Sequence, residues 1–141
     1  MYSTLITAIT TAINTTGLIN KVVHGDIDEV DIEKTNNYPR AHIMVNNGTY
    51  LSPAWRFNVT VLFYDLEHVT KDNVNNEDAV YDAMLLAATK TAEQLYQVTD
   101  IMYSINELPT VEPFGERFEN SDTGWALTFD MDIFNKNILP C

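Results

Sequence analysis

Cysteine is nearly absent from this chain: the one thiol, Cys141, is the last residue. A lone terminal cysteine forms no internal bridge and builds no thiolate metal site, which fits a reducing compartment. Cations are scarce as well. Eight Lys and Arg face 20 Asp and Glu, so the net charge is 8 − 20 = −12. Tight nucleic-acid binding clusters cations against phosphates, so it is not expected here, and the acidic balance repels DNA. No run approaches the roughly 20 apolar residues that span a bilayer. Met1-Tyr2-Ser3-Thr4 has neither a basic region nor a continuous apolar run, so no signal peptide is expected. The Asn-x-Thr triplets at Asn14, Asn47 and Asn58 then need no glycan. The five glycines are too scattered for a phosphate loop, a dinucleotide turn or a nucleophile elbow. His24, His42 and His68 stand apart, with no metal-ligand spacing.

What is present suffices for one core. A chain of 141 residues fits one domain, expected over 1–141. Surface scaling gives roughly 7,400 Å² folded against about 23,000 Å² unfolded, so about two-thirds is buried. An apolar content of 45% supplies the filling.

Periodicity predicts a short helix over 3–14, with Leu5, Ile9 and Ile13 on one side beside Ile6, Ala8 and Ala12. Ser3 or Thr4 suits its start and Gly17 its stop. Residues 21–34 read as a strand whose apolar parity changes between Ile27 and Val30, which a bulge or turn near Asp28 and Glu29 would restore. Ala41, Ile43 and Val45 alternate with His42 and Met44, and Asn46-Asn47-Gly48 marks a turn. The clearest strand, 55–64, puts Trp55, Phe57, Val59, Val61 and Phe63 on one face. After a polar loop, a long helix is predicted over 76–97, capped by Asn75 or Asn76. Its stripe is Val80, Met84, Ala87, Ala88, Thr91 and Leu95. A loop or short element at 98–110 leads to 110–114 and a polar connection. The last strand, 124–134, faces Trp125, Leu127, Phe129, Met131 and Ile133 one way and Thr128, Asp130 and Asp132 the other. The two aromatic strands are expected to pair, with the long helix across their apolar face. The fold class is α+β: a mainly antiparallel twisted sheet packed by one short N-terminal helix and one long central helix.

Two acidic groupings invite a chemical reading. Asp26, Asp28, Glu29, Asp31 and Glu33 fall within eight residues. A calcium loop counted from Asp26 needs glycine sixth and glutamate twelfth, where Asp31 and Asn37 stand, so a solvated acidic edge is expected instead. Asp130 and Asp132 share a strand face and could be joined by Glu112, Glu116 and Glu119 for acid–base or metal work, but no His or Lys is spaced to complete a site. The polar face of an antiparallel strand accounts for the pair without chemistry. No catalytic, cofactor or metal residue is therefore assigned, and no enzyme activity is expected.

The element order carries a resemblance, together with Tyr38-Pro39-Arg40-Ala41-His42-Ile43-Met44-Val45, Glu112-Pro113-Phe114-Gly115-Glu116-Arg117-Phe118-Glu119-Asn120 and Gly124-Trp125-Ala126-Leu127-Thr128-Phe129-Asp130. The chain resembles phage tail-terminator, tail-completion and neck proteins, α+β subunits that assemble into rings at the head–tail junction or tail end. The resemblance implies a virion protein with no catalytic residues. It implies a six- or twelve-fold homo-oligomeric ring whose neighbours are neck, portal-adaptor or tail proteins. DNA would be passing cargo only, and no membrane would be involved. Phe114, Glu116, Arg117, Phe118 and Glu119 are then candidate interface residues, since aromatic and Arg side chains are enriched at interfaces; the alternative is that both phenylalanines tuck into the local core. The loop 66–75 is a second candidate. Asp26, Asp28, Glu29, Asp31, Asp130 and Asp132 become a candidate acidic surface or channel wall. Two rival classes remain: an acidic DNA mimic that occupies a DNA-binding enzyme, and a metal-dependent hydrolase built on Asp130 and Asp132.

Overall fold

The computed structural model describes residues 2–25, 39–52, 54–66, 77–97, 103–105, 109–115 and 122–134. Helix α1 spans Tyr2–Thr16 and buries Leu5, Ile6, Ile9, Ala12 and Ile13 along one side. Ser3 and Thr4 lie inside this helix, not at its cap, because it begins earlier than the apolar stripe signals. Its end is built as expected. Gly17 takes φ 70° and its N–H donates to the Asn14 carbonyl at 3.2 Å. The Thr16 hydroxyl donates to the Ile13 carbonyl at 2.7 Å, so an orphan carbonyl of the last turn is satisfied locally.

Strand β1, Lys21–His24, is short and runs parallel to β2, Arg40–Tyr50. The predicted extension of β1 to residue 34 lies outside the described residues. Antiparallel pairing joins β2 to β3, Ala54–Leu66, and β3 to β6, Asp122–Phe134. On the far side of β6, β5 (Thr110–Gly115) covers Thr123 to Thr128 and β4 (Tyr103–Ile105) covers Met131 to Ile133. The sheet order is β1-β2-β3-β6, then β4 and β5 side by side on one edge.

A second sequence reading is corrected. Asn46-Asn47-Gly48 does not turn the chain; β2 continues through it to Tyr50, with a register shift between Val45 and Asn47. An extra residue in one strand makes a bulge, and the hairpin closes later, where the Leu51 N–H donates to the Ala54 carbonyl at 2.7 Å. The bulge releases Asn46 from the pairing sequence, and its side-chain amide reaches Asn58 Oδ1 and Thr60 Oγ1, both at 2.8 Å.

Pairs of opposite residues share a sheet face, so the register sorts the side chains. Ala41, Val61, Leu127 and their row-mates Ile43, Val59, Phe63, Phe129, Met131 and Ile133 form the helix-side face, all buried. Helix α2, Glu77–Gln97, lies across β3 and β6 and packs on α1. Every residue of its predicted stripe is buried: Val80, Met84, Ala87, Ala88, Thr91 and Leu95. At 1.5 Å per residue, its 21 residues reach about 32 Å. Both helices and the sheet contribute to one core cluster. The predicted pairing of the two aromatic strands and the α+β class are therefore what the structure shows.

The β5–β6–α2 corner is locked by specific contacts. The Trp125 indole N–H donates to the Tyr81 carbonyl at 2.9 Å, the two rings meet edge to face at 6.0 Å, and the Tyr81 hydroxyl donates to the Phe114 carbonyl at 3.1 Å. Beside Trp125, Gly124 is required: a Cβ there would overlap the Phe63 carbonyl of the neighbouring strand.

Candidate functional site

Three side-chain positions alternate outward on the helix-free face of the central strands, and the register brings them into a ladder. Asn58 stands opposite Asp130, Arg56 opposite Asp132, and Thr60 opposite Thr128. Asn58 Nδ2 donates to Asp130 Oδ1 at 2.9 Å, and the two threonine hydroxyls bond at 3.1 Å. The Arg56 guanidinium grips Asp132 with Nε to Oδ1 at 3.0 Å and a longer second contact of 3.4 Å to Oδ2. With Asn46 bonded to Asn58 and Thr60, the row runs unbroken across β2, β3 and β6.

This geometry decides what the acidic pair can do. Asp132 is largely buried and held against a cation, while Asp130 accepts from an amide. The two carboxylates are therefore held separately, one by a guanidinium and one by an amide. Among the described residues no group of three His, Cys, Asp or Glu side chains could hold a metal ion. Toward a passing polyanion, Asp132 with Arg56 contributes a neutral pair, so of the two only Asp130 adds charge to that face.

The other half of the same face is closed. Leu62 and Tyr64 are fully buried, with Met44, Phe114 and Ala126 packed on them. Phe114 meets Tyr64 edge to face at 6.3 Å. The candidate interface residue Phe114 is thus a half-buried member of this cluster. Arg40 and His42 are buried along the same side, and His42 Nε2 lies 2.7 Å from the Gly25 carbonyl, beside the positive φ of Gly25. Their burial has no signal in the alternation, which places a cation and an imidazole on what reads as the wet side of a strand. Glu116, Arg117, Phe118 and Glu119, the acidic run Asp26, Asp28, Glu29 and Asp31, and loop residues 67–75 lie outside the described residues.

Among the described residues, backbone edges and apolar area stay open at the sheet's margins. β1 pairs with β2 only as far as Ile43, and among the described residues no strand lies along the outer side of β2 from 44 to 50. Residues 46–50 are all exposed, ending in Tyr50, which packs on Trp55 at 5.1 Å; Trp55 stacks in turn on Phe57 at 6.4 Å. Among the described residues the outer side of β5 is likewise unpaired by any strand. Between β5 and the second half of α2 runs an open groove of about 320 Å³ lined by Leu85, Ala92, Tyr96, Pro109, Val111 and Leu127 among others.

The exposed acids of α2 do not form a phosphate-like row. Asp78 and Asp82 stand one turn apart, but Leu86 and Thr89 follow on that side before Glu93. Among the described residues no helix is long and apolar enough to cross a membrane. Comparison with protein-family models and with curated proteins finds no match to this chain.

Proposed function

We propose that this chain is a non-enzymatic virion protein, a ring-forming subunit of the tail-terminator or tail-completion type at a phage head–tail junction or tail end. The observation that carries the reading is a pair of edges on one sheet along which, among the described residues, no strand is paired: the outer side of β2 beyond Ile43 and the outer side of β5. An open edge is a template for another strand, and a chain that displays two different ones is suited to head-to-tail contacts that close by rotation. The resemblance in the sequence supplies which assembly this is. A net charge of −12 per copy suits a passage through which DNA slides without counterion-releasing contacts. The ladder on the sheet face opposite the helices supports a structural role, since Asp132 is held by Arg56 and Asp130 accepts from Asn58.

The test is the particle. Mature virions should contain this protein in a rotationally symmetric ring at the neck or tail end, seen by electron microscopy with antibody labelling. Absence from virions, or presence without rotational symmetry, overturns the reading.

A further inference from the structure

Five asparagines fall among the described residues: Asn14, Asn20, Asn46, Asn47 and Asn58. Four of them are restrained. Asn14 lies inside α1, where the N–H of the next residue belongs to the helical ladder. The N–H that follows Asn20, that of Lys21, donates to the Pro39 carbonyl at 3.4 Å. The Asn46 amide donates to Asn58 and Thr60, and the Asn58 amide donates to Asp130. Asn58 is also followed by Val59, whose branched side chain crowds its own backbone nitrogen. Asn47 differs on each count. Its side chain is exposed and makes no hydrogen bond among the described residues, and the next residue, Gly48, has no side chain.

The register also fixes where the Gly48 nitrogen points. The Leu51 N–H bonds the Ala54 carbonyl, so residues 51 and 54 face each other as a hydrogen-bonded pair. Such pairs alternate along an antiparallel ladder. Thr49 with Arg56 and Asn47 with Asn58 are therefore hydrogen-bonded, while Gly48 and Tyr50 turn their N–H and C=O groups away from β3. The Gly48 nitrogen faces the side of β2 along which, among the described residues, no strand is paired. We propose that Asn47–Gly48 is a self-modification site, at which the Gly48 backbone nitrogen attacks the Asn47 side-chain carbonyl carbon. The new N–C bond closes a cyclic imide. A solvent base takes the Gly48 amide proton, and the Asn47 side-chain nitrogen leaves as ammonia, taking up a proton from solvent. One water then opens the imide at either carbonyl, giving aspartate or its isoaspartyl isomer. The balance is amide plus water to acid plus ammonia, with no change of oxidation state. Closing the imide turns the peptide plane between the two residues out of the strand and breaks the backbone pairing of Asn47 with Asn58. The adjacent bulge and the exposed hairpin end lower the cost of that opening. Packing favours the glycine as well, since a Cβ at Gly48 would stand 2.9 Å from the Phe57 ring. Residues 41–55 contain no Asp, Glu, Lys or Arg, so the product places the first charge in that stretch. The isoaspartyl form also adds a methylene to the backbone of β2 and shifts its pairing beyond the bulge. The site is independent of the ring reading and holds for the isolated chain.

Peptide mapping by mass spectrometry tests it, on the full chain held folded in mildly alkaline buffer, with isoaspartate measured in the same peptides. Asn47 should convert at least tenfold faster than Asn14, Asn20, Asn46 or Asn58 in the same sample. Gly48→Ala should slow conversion of Asn47 at least tenfold. Because the added methyl meets the Phe57 ring, Asn47→Gln serves as the second variant; it changes only an exposed side chain and should abolish the isoaspartate in this peptide. Circular dichroism checks that both variants fold. Conversion of Asn47 no faster than that of the other four overturns the proposal. So does conversion in urea but not in the folded chain, since the strand would then protect the amide. Conversion unchanged in Gly48→Ala also overturns it, because a methyl beside the attacking nitrogen must hinder the attack.

Discussion

Replacing Phe129 with alanine tests the packing of β6 under α2. The ring is 3% exposed and its strand partner is Val59, itself fully buried. A buried aromatic removes 150–250 Å² from water, about 4–6 kcal/mol at 25 cal/mol per Å². Alanine keeps the Cβ, and the surrounding sheet cannot collapse into the space, so the expected loss is about 3–5 kcal/mol. At roughly 2.1 cal/mol/K per residue, 141 residues give an unfolding entropy near 0.3 kcal/mol/K. A loss of about 4 kcal/mol then lowers Tm by about 13 °C. Urea titration followed by tryptophan fluorescence, beside a calorimetric Tm, measures both. Val111→Ala on the exposed β5 edge is the control and should change stability by about 0.5 kcal/mol or less. A Phe129→Ala loss below about 1 kcal/mol would mean that the helix-side face is not the core described.

Other substitutions probe separate features. Gly124→Ala forces a methyl into the Phe63 carbonyl and should cost at or above about 3 kcal/mol in urea, a large effect for one added carbon. Arg56→Ala should cost more than Asp132→Ala, because it strands a carboxylate that is 12% exposed, whereas the guanidinium at 36% still reaches water. A double-mutant cycle on that pair should give a coupling of about 1 kcal/mol, and equal single costs would contradict the ladder geometry. Thr91→Val should be neutral or stabilising by about 1 kcal/mol, since the buried Thr91 hydroxyl has no hydrogen-bond partner among the described residues and valine has its shape. Screening hydrolase and nuclease substrates with magnesium, manganese or zinc should yield no turnover. An activity abolished by Asp130→Asn would show the ladder to be a catalytic site.

The helices and the two aromatic strands were legible because one face of each is buried against a single core. The period of Val80, Met84, Ala87, Ala88, Thr91 and Leu95 encodes the buried side of α2 without help from any other element. What escaped the sequence depends on register. Asn46-Asn47-Gly48 has the composition of a hairpin turn, but the strand bulges and continues there, and Asn46 serves as a cross-strand donor to Asn58 and Thr60. The requirement for Gly124 is equally non-local, set by the approach of a Phe63 carbonyl 61 positions away (124 − 63). The parallel pairing of β1 with β2 leaves no local mark either, because four residues are too few for a pattern.

The polar ladder also bears on where function can reside. Each of its side chains finds its partner on the adjacent strand: Asn46 on Asn58, Asn58 on Asp130, Thr60 on Thr128, Arg56 on Asp132. A half-buried polar row satisfied in this way stabilises the sheet and needs no ligand to complete it. Alternation alone, by contrast, showed Asp130 and Asp132 as two acids side by side, the pattern of an acid–base site. Register converts them into one amide-bonded carboxylate and one ion pair. Among the described residues, the strand edges that no other strand pairs lie elsewhere, on the outer side of β2 beyond Ile43 and along β5, and the Tyr50 and Leu51 tip is exposed. These sites offer backbone valence and apolar area, the features by which one protein surface can pair with another.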